Sequence, residues 1–580
     1  MLLFAFSCTK DKVDFPSGNG STGLNGLVFG TDEAIYYDFE SEQITVLGDH
    51  LCNPYSVTNM ALAGASISWN GDIVETHKYV RFLPNSPQDL KVLDDSDLEL
   101  FDTPFDYEVV TQGTYYHDPV LTREDYTWLY TVVPTNFQSS SIIANTGISY
   151  EVIESLHLPD DNDDSDPLVY AAFERCGLEH QLEEEDEPQG RLAFLRLKKR
   201  DVIGNINIHN TEFNGNEPLR NVGIVARSWF KIRVGFTDAS GNFNSNAKFR
   251  THALVKMVFE NNRFSIRGLA TVGIWRMYKP NEKMIGLFAF RGMTNIQYTV
   301  DKTSNSNLTI RSRDWVLATM LNGAEYFNAY MNNNSIYYNQ GRISIWATGL
   351  GNYASAPMLK TMNSPFHATY FATYFLLRGD VSAAASSLIV SMYGTILGDV
   401  LIGYAERVNY SSFIHEVVFH ELAHAYHYGL VGTCYWTNYI NYIVANGGYG
   451  DGNGQHADKV AVGEAFAYDL EKIVGFNKYP NITFGTGNKN YHQLGEESNG
   501  LVDHPWIPTG LFYDIWDNTP SNGIPSNDIV SLNLDEIYTS INVTNQWECY
   551  LDFSLIKNRY NSAHPTLQGS IDAIFNHHGN

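Results

Sequence analysis

The sequence predicts a multidomain α+β protein, and three observations carry that reading. The chain has 580 residues, too many for one hydrophobic core, so two to four domains are expected. Between about residues 202 and 270, apolar and polar residues alternate with the two-residue period of strands. After about residue 300 the texture becomes helical. The expected order is a tether over 1–25, a β-rich region over 26–200, a β-sandwich over 201–275 and a mainly α-helical domain over 300–580.

The N-terminus opens with an apolar run, Met1 to Phe6, followed by Ser7 and Cys8. A short apolar run, a small residue and then cysteine resembles the end of a bacterial lipoprotein signal peptide. That resemblance implies that Cys8 carries lipid and that the protein is anchored at the cell surface or in the periplasm, at the outer membrane. The charged start of such a signal is missing, and the run is too short to span a bilayer. Phe15 to Gly23, rich in Gly, Ser and Asn, reads as a flexible tether.

Residues 26–200 show strand-like runs, such as Ala34 to Tyr37 and Ile44 to Leu47, and no chemistry. Two acidic runs, 160–166 and 183–187, read as solvated linkers. They contribute to a net charge of −27, from 65 acidic and 38 basic residues. A surface of that sign repels nucleic acid, which is not an expected partner. Of the five cysteines, none forms a CxxC pair, which argues against a cysteine zinc site. Cys434 and Cys549 are able to pair in an oxidising compartment.

The next stretch reads as a series of strands: Val202 to Ile208, Val222 to Arg227 and Val255 to Phe259, with a turn at Thr237 to Phe243. Pro218, Leu219, Val222, Thr237, Asp238, Gly241 and Phe243 form a pattern that resembles the transthyretin-like sandwich, the regulatory domain of carboxypeptidases. The resemblance covers some 70 residues and implies a structural or adhesive module. Beyond it, Trp315 starts a helix reaching Met331, and Asp399 to Tyr404 reads as a short strand.

The segment Ser411 to Gly429 reads as one helix, started by Asn409, Ser411 or Ser412 and ended by Gly429. It contains His420-Glu421-Leu422-Ala423-His424. Residues four apart share a helix face, so His420 and His424 are able to bind one Zn2+. Glu421, rotated by about 100°, reaches a water on the metal without being a ligand. Zinc needs a third protein donor. The positions of the third histidine and of the alternative aspartate hold Leu430 and Trp436. Glu464, an acid within the apolar segment Val460 to Leu470, is the best candidate.

With Glu464 the constellation resembles the gluzincin class, thermolysin-like in arrangement. That class places an aspartate four residues after the glutamate, but Tyr468 stands there, with Asp469 next. The region from His420 to Asp517, with HELAHAYH, the YGDG loop, VGEAFAY and GLFYDIWDN from Gly510 to Asn518, resembles zinc-metallopeptidase-like lipoproteins of Bacteroidetes-type bacteria. These resemblances imply a zincin-like domain and a zinc metallopeptidase acting on polypeptide or glycoprotein substrates. They also imply that the 399–404 strand is the edge that pairs with an extended substrate. His415 and His427 are expected to face solvent or support the ligands. Tyr513, ahead of His492 and His504, is the candidate for stabilising the oxyanion. The rival expectation is a surface lipoprotein that binds glycan or protein through the sandwich, on a non-proteolytic zincin scaffold. A third is an amidase with the same metal chemistry.

Overall fold

We describe the protein from a computed structural model. It describes residues 45–579 apart from 97, 112–114, 122–125, 162, 184–195, 269–278, 290–291, 303–309, 349–353, 363–397, 405–409, 447, 485–488, 518–528 and 544–548. Cys8, the tether, the strand expected at 34–37 and Asn409 lie outside the described residues.

The architecture is mixed α+β. In the N-terminal region, α1 (Val57–Ser66) and α2 (Asp166–Arg175) accompany an antiparallel sheet of β1 (His77–Leu83), β2 (Leu129–Pro134) and β3 (Ser149–Leu156), in the order β2-β1-β3. Cys52 and Cys176 form a disulfide in this region.

Two sheets follow. One holds β4 (Arg200–Asn210), β5 (Gly215–Pro218), β8 (Asn242–Phe249) and β12 (Ile296–Val300). The other holds β6 (Gly223–Ser228), β7 (Lys231–Phe236), β9 (Ala253–Val258) and β11 (Glu282–Phe288). The alternation read from the sequence is the pleat of β4, which buries Val202, Ile206 and Ile208. The sheets extend past residue 275, because β11 pairs with β9 and β12 pairs with β4. The acidic run at 160–166 exposes Asp160, Asp161 and Asp164, but its last acid is not solvated. Asp166 is fully buried, with Arg250 at 2.9 Å and Lys199 at 3.0 Å. These contacts tie the N-terminal region to the strands after it.

The strand β10 (Phe264–Gly268) leaves these sheets and pairs in parallel with β13 (Ile343–Thr348). A third sheet results, in the order β10-β13-β15-β14, where β14 is Ala354–Ser355 and β15 is Val400–Gly403. The strand expected as the substrate-pairing edge is β15. It is bonded on both sides, to β13 and to β14, so it has no edge to offer. Among the described residues the edge on that side is β14, which runs antiparallel to β15.

The helices that carry the site are α3 (Ile310–Asn333), α4 (Ser411–Asn446) and α5 (Ala457–Lys478), followed by α6 (Tyr491–Glu496) and α7 (Leu511–Trp516). One apolar core runs from Val80 through Val202 and Trp315 to Phe419 and Phe575, and a second, with Met60, Tyr79, Phe173 and Phe230, packs the N-terminal helices. Cys434 and Cys549 are bonded.

The start and the break of α4 both differ from the sequence expectation. The start is capped from a distant segment, the turn between β4 and β5. Thr211 Oγ1 accepts from the Ser411 N–H at 2.8 Å, and Glu212 Oε1 accepts from the Ser412 hydroxyl at 2.7 Å. An acid at a helix N-terminus also complements the helix dipole. The break falls at Gly432, with φ 74° and ψ −178°, a conformation essentially reserved for glycine. Gly429 instead stays helical, against the ring of Tyr338.

Candidate metal centre

Three side chains converge in the packing of α4 against α5. The Nε2 atoms of His420 and His424 lie 3.2 Å apart. His420 Nε2 is 3.6 Å from Glu464 Oε2, and His424 Nε2 is 3.4 Å from Glu464 Oε1. All three residues are at most 2% exposed. Donors held at about 2.0–2.1 Å around a tetrahedral zinc sit about 3.3–3.4 Å from one another. The donor types and separations therefore fit a zinc ion. The i, i+4 spacing on α4 supplies the two imidazoles, and α5 supplies the carboxylate.

Electrostatics favour the forms that bind a metal. Burial pushes the His424 imidazole below its ordinary pKa, against the pull of the Glu464 carboxylate. Burial opposes the charge on Glu464, and a proton on His420 or His424 outweighs it and holds the carboxyl below its ordinary range. A neutral imidazole and an ionised carboxylate are the states that coordinate.

A second carboxylate of α5 lies beside His420. Its Nδ1 lies 3.2 Å from Glu471 Oε2. Seven residues separate Glu464 and Glu471, about two helical turns, so both face α4. The other Glu471 oxygen is 2.9 Å from Lys472 Nζ, which also pairs with Glu416 at 2.9 Å. Burial works against the Lys472 charge, but the two carboxylates outweigh it and raise its pKa. Tyr468 contributes a ring edge, 4.6 Å from the His420 ring. Asp469 is turned away. It accepts from the N–H groups of Gly510 and Phe512 at 2.6 and 2.9 Å, at the start of α7. Burial pushes its pKa up to about 8 against those two bonds.

Two phenols reach the third donor. Tyr449 donates to Glu464 Oε2 at 2.9 Å, and Tyr439 donates to Oε1. Tyr439 lies past the Gly432 break, which turns the second half of α4 toward the site. A pocket opens beside His424 and Glu464. Its lining includes Trp436, Tyr439 and Ile440 from α4, and Ser355, Ala356 and Pro357 at the edge strand β14.

Of the residues singled out in the sequence, His420, His424 and Glu464 come together, and Glu421 follows on the same helix with 1% exposure. Tyr513 does not line the pocket. Its hydroxyl is 2.8 Å from His492 Nδ1, in a separate group where His492, Glu496 and Asp517 each offer a donor atom. His504 bonds the Gly450 carbonyl. His415 and His427 are fully buried rather than solvent-facing. His415 meets the Tyr479 hydroxyl at 2.6 Å and the Thr319 carbonyl at 3.2 Å. His427 is packed among the rings of Tyr435, Trp436 and Phe466.

Sequence reasoning missed Glu471, Tyr439 and Tyr449. The signal for Glu471 was present, as an acid two turns after Glu464 on an apolar helix. In a chain with 36 tyrosines, nothing marked the two phenols.

No family model matches the chain, and no curated protein matches it. Among solved structures, a 9R-lipoxygenase from Cyanothece PCC8801 aligns over 30% of this chain and 30% of its own, at 13% identity and a TM-score of 0.11. A likeness of that size carries no argument about fold or activity.

Proposed function

We propose that the protein is a zinc-dependent hydrolase of peptide bonds, a metallopeptidase of the gluzincin type. The observation that carries the reading is the set of donor separations, 3.2, 3.4 and 3.6 Å, among His420, His424 and Glu464. These three residues would hold the ion. When bound, zinc supplies polarisation of a carbonyl and acidifies water. Glu421 takes the proton of the attacking water and returns it to the leaving amine nitrogen. Glu471 keeps the His420 Nδ1 proton, so that Nε2 presents its lone pair.

The placement of β14 supports a peptide as substrate. An edge strand is able to align an extended chain by main-chain hydrogen bonds, and β14 leads directly into the pocket wall. We read residues 200–300 as a transthyretin-like sandwich and 300–580 as a zincin-like domain. The two four-stranded sheets and the mixed sheet beside α4 and α5 are consistent with that division. The disulfides Cys52–Cys176 and Cys434–Cys549 favour an oxidising compartment, in line with an exported, lipid-anchored protein acting on extracellular polypeptides or glycoproteins.

The test is elemental analysis of the wild type and of Glu464→Ala, beside digestion of a peptide library. The expected result is equimolar zinc and chelator-sensitive cleavage in the wild type, with both lost in the variant. Zinc binding without cleavage of any peptide pool would transfer the weight to the binding lipoprotein. Absence of zinc from the wild type would end the metal reading.

A further inference from the structure

The glycine-rich loop at 448–454 lies between α4 and α5. It accounts for part of the 40-residue separation of Glu464 from His424, and the proposed chemistry gives it no task. It is built to hold one side chain. Tyr449 is 4% exposed and donates to Glu464 Oε2 at 2.9 Å. Its ring packs edge-on against His504 at 5.3 Å. The loop is fastened on its other side too. The Gly450 carbonyl faces His504 Nδ1 at 3.0 Å and accepts from Trp506 Nε1 at 3.4 Å, and the Gly452 N–H donates to the Tyr442 hydroxyl at 3.2 Å. Gly452 has φ +79°, and a Cβ there would lie 2.7 Å from Trp506 Cγ. Both its conformation and its space demand glycine.

We propose that this loop is the arm that positions the third metal donor. Tyr449 fixes one oxygen of Glu464 from the loop, while Tyr439 fixes the other from the far half of α4. Metal occupancy and loop order are then coupled, and the coupling is reciprocal. Tyr449 is a positioning residue: it acts on the ion through Glu464. The proposal rests on the reading of the site as a metal centre, and it adds a regulator of affinity distant in sequence from HELAH.

The experiment uses the full chain stripped of metal by chelator, with zinc and cobalt(II) as the probes. Outer partners of metal ligands typically contribute ten- to a hundred-fold in affinity. Tyr449→Phe is therefore expected to weaken zinc by about ten- to a hundred-fold in competition with a chromophoric chelator. It should also alter the visible absorption of the cobalt form. In the wild type, zinc should slow hydrogen exchange of the amides at 448–454, and in Tyr449→Phe it should not. An unchanged melting temperature of the metal-free variant shows that the fold is intact. Equal zinc affinity in the two proteins, or equal zinc-induced protection of the loop, overturns the proposal and leaves the metal centre standing. No zinc binding by the wild type overturns both.

Discussion

Two groups of histidine and carboxylate occur among the described residues, and only one has the geometry of a ligand set. In the first, His420, His424 and Glu464 present donors 3.2–3.6 Å apart from two long helices, with side chains at most 2% exposed. In the second, His492, Glu496 and Asp517 offer donors within 4.8 Å of one another. There the His492 Nδ1 meets the Tyr513 hydroxyl at 2.8 Å, its side chain is 31% exposed, and the helix beneath it, α6, has six residues. The residue types are similar. The difference is that the packing of two long helices holds the first group, whereas in the second a half-buried imidazole is carried by a six-residue helix. Preorganisation, rather than composition, distinguishes a metal centre from a polar cluster.

The strongest way to break this contrast is at Glu421. Glu421→Ala should retain equimolar zinc and lose turnover by about a hundred- to ten-thousand-fold, the usual range for a general base. Peptide digestion together with metal analysis reads both quantities. Cleavage at the wild-type rate would remove Glu421 from its role.

The next effect is at Glu471, whose carboxylate joins His420 to Lys472. Glu471→Gln should weaken zinc by about ten- to a hundred-fold while Lys472 keeps its pairing with Glu416 at 2.9 Å. Chelator competition measures it. An affinity within twofold of wild type would mean that His420 is oriented by α4 alone.

The legibility of this site follows the range of the interactions. His420, Glu421 and His424 were readable because helical periodicity alone brings them together. Glu464 was readable because an acid in an apolar helix needs a partner. The orienting carboxylate was sought at the fourth residue after Glu464 and is Glu471, one turn further. The acid at Glu471 was visible in the sequence of α5, but helix packing decides which turn faces His420. The cap of α4 shows the same limit. Local serines were expected, but Thr211 and Glu212, about 200 residues earlier, take the part because a β-hairpin docks there. The break at Gly432 rather than Gly429 is likewise settled by packing, since both glycines read alike. The strand at 400–403 was located correctly, but its position within the sheet depends on β14, a two-residue strand that carries no periodic signal.

His415 supplies a third arrangement, a buried histidine that meets the Tyr479 hydroxyl and the Thr319 carbonyl. Burial, aided by the Lys478 charge and opposed by Glu217, pushes its pKa down to about 3. The folded protein holds it neutral, while the unfolded chain protonates it near the ordinary value of about 6.5. Its contribution is therefore present above about pH 6.5 and is lost as pH falls toward 3, at about 1.4 kcal/mol per pH unit. Urea unfolding of metal-free protein at pH 5 and pH 7 should show that dependence reduced in His415→Gln. An identical pH slope in the variant would place the titration elsewhere.

The smallest effect belongs to the second group. Glu496→Gln removes one of its carboxylates, 3.9 Å from His492 Nδ1, without touching α4 or the face of α5 that holds Glu464. If preorganisation is what separates the two groups, zinc stoichiometry, zinc affinity and peptide cleavage should all stay within about twofold, the range left when substituted groups share no partners. A drop in stoichiometry would show that the second group also takes an ion, and that a six-residue helix suffices to present donors. A drop in turnover at full stoichiometry would show that α6 and α7 relay their arrangement to the catalytic helices through Asp469, which joins α5 to α7. That second result would force the contrast to be redrawn around the buried contact of Asp469 instead of around the two sets of donors.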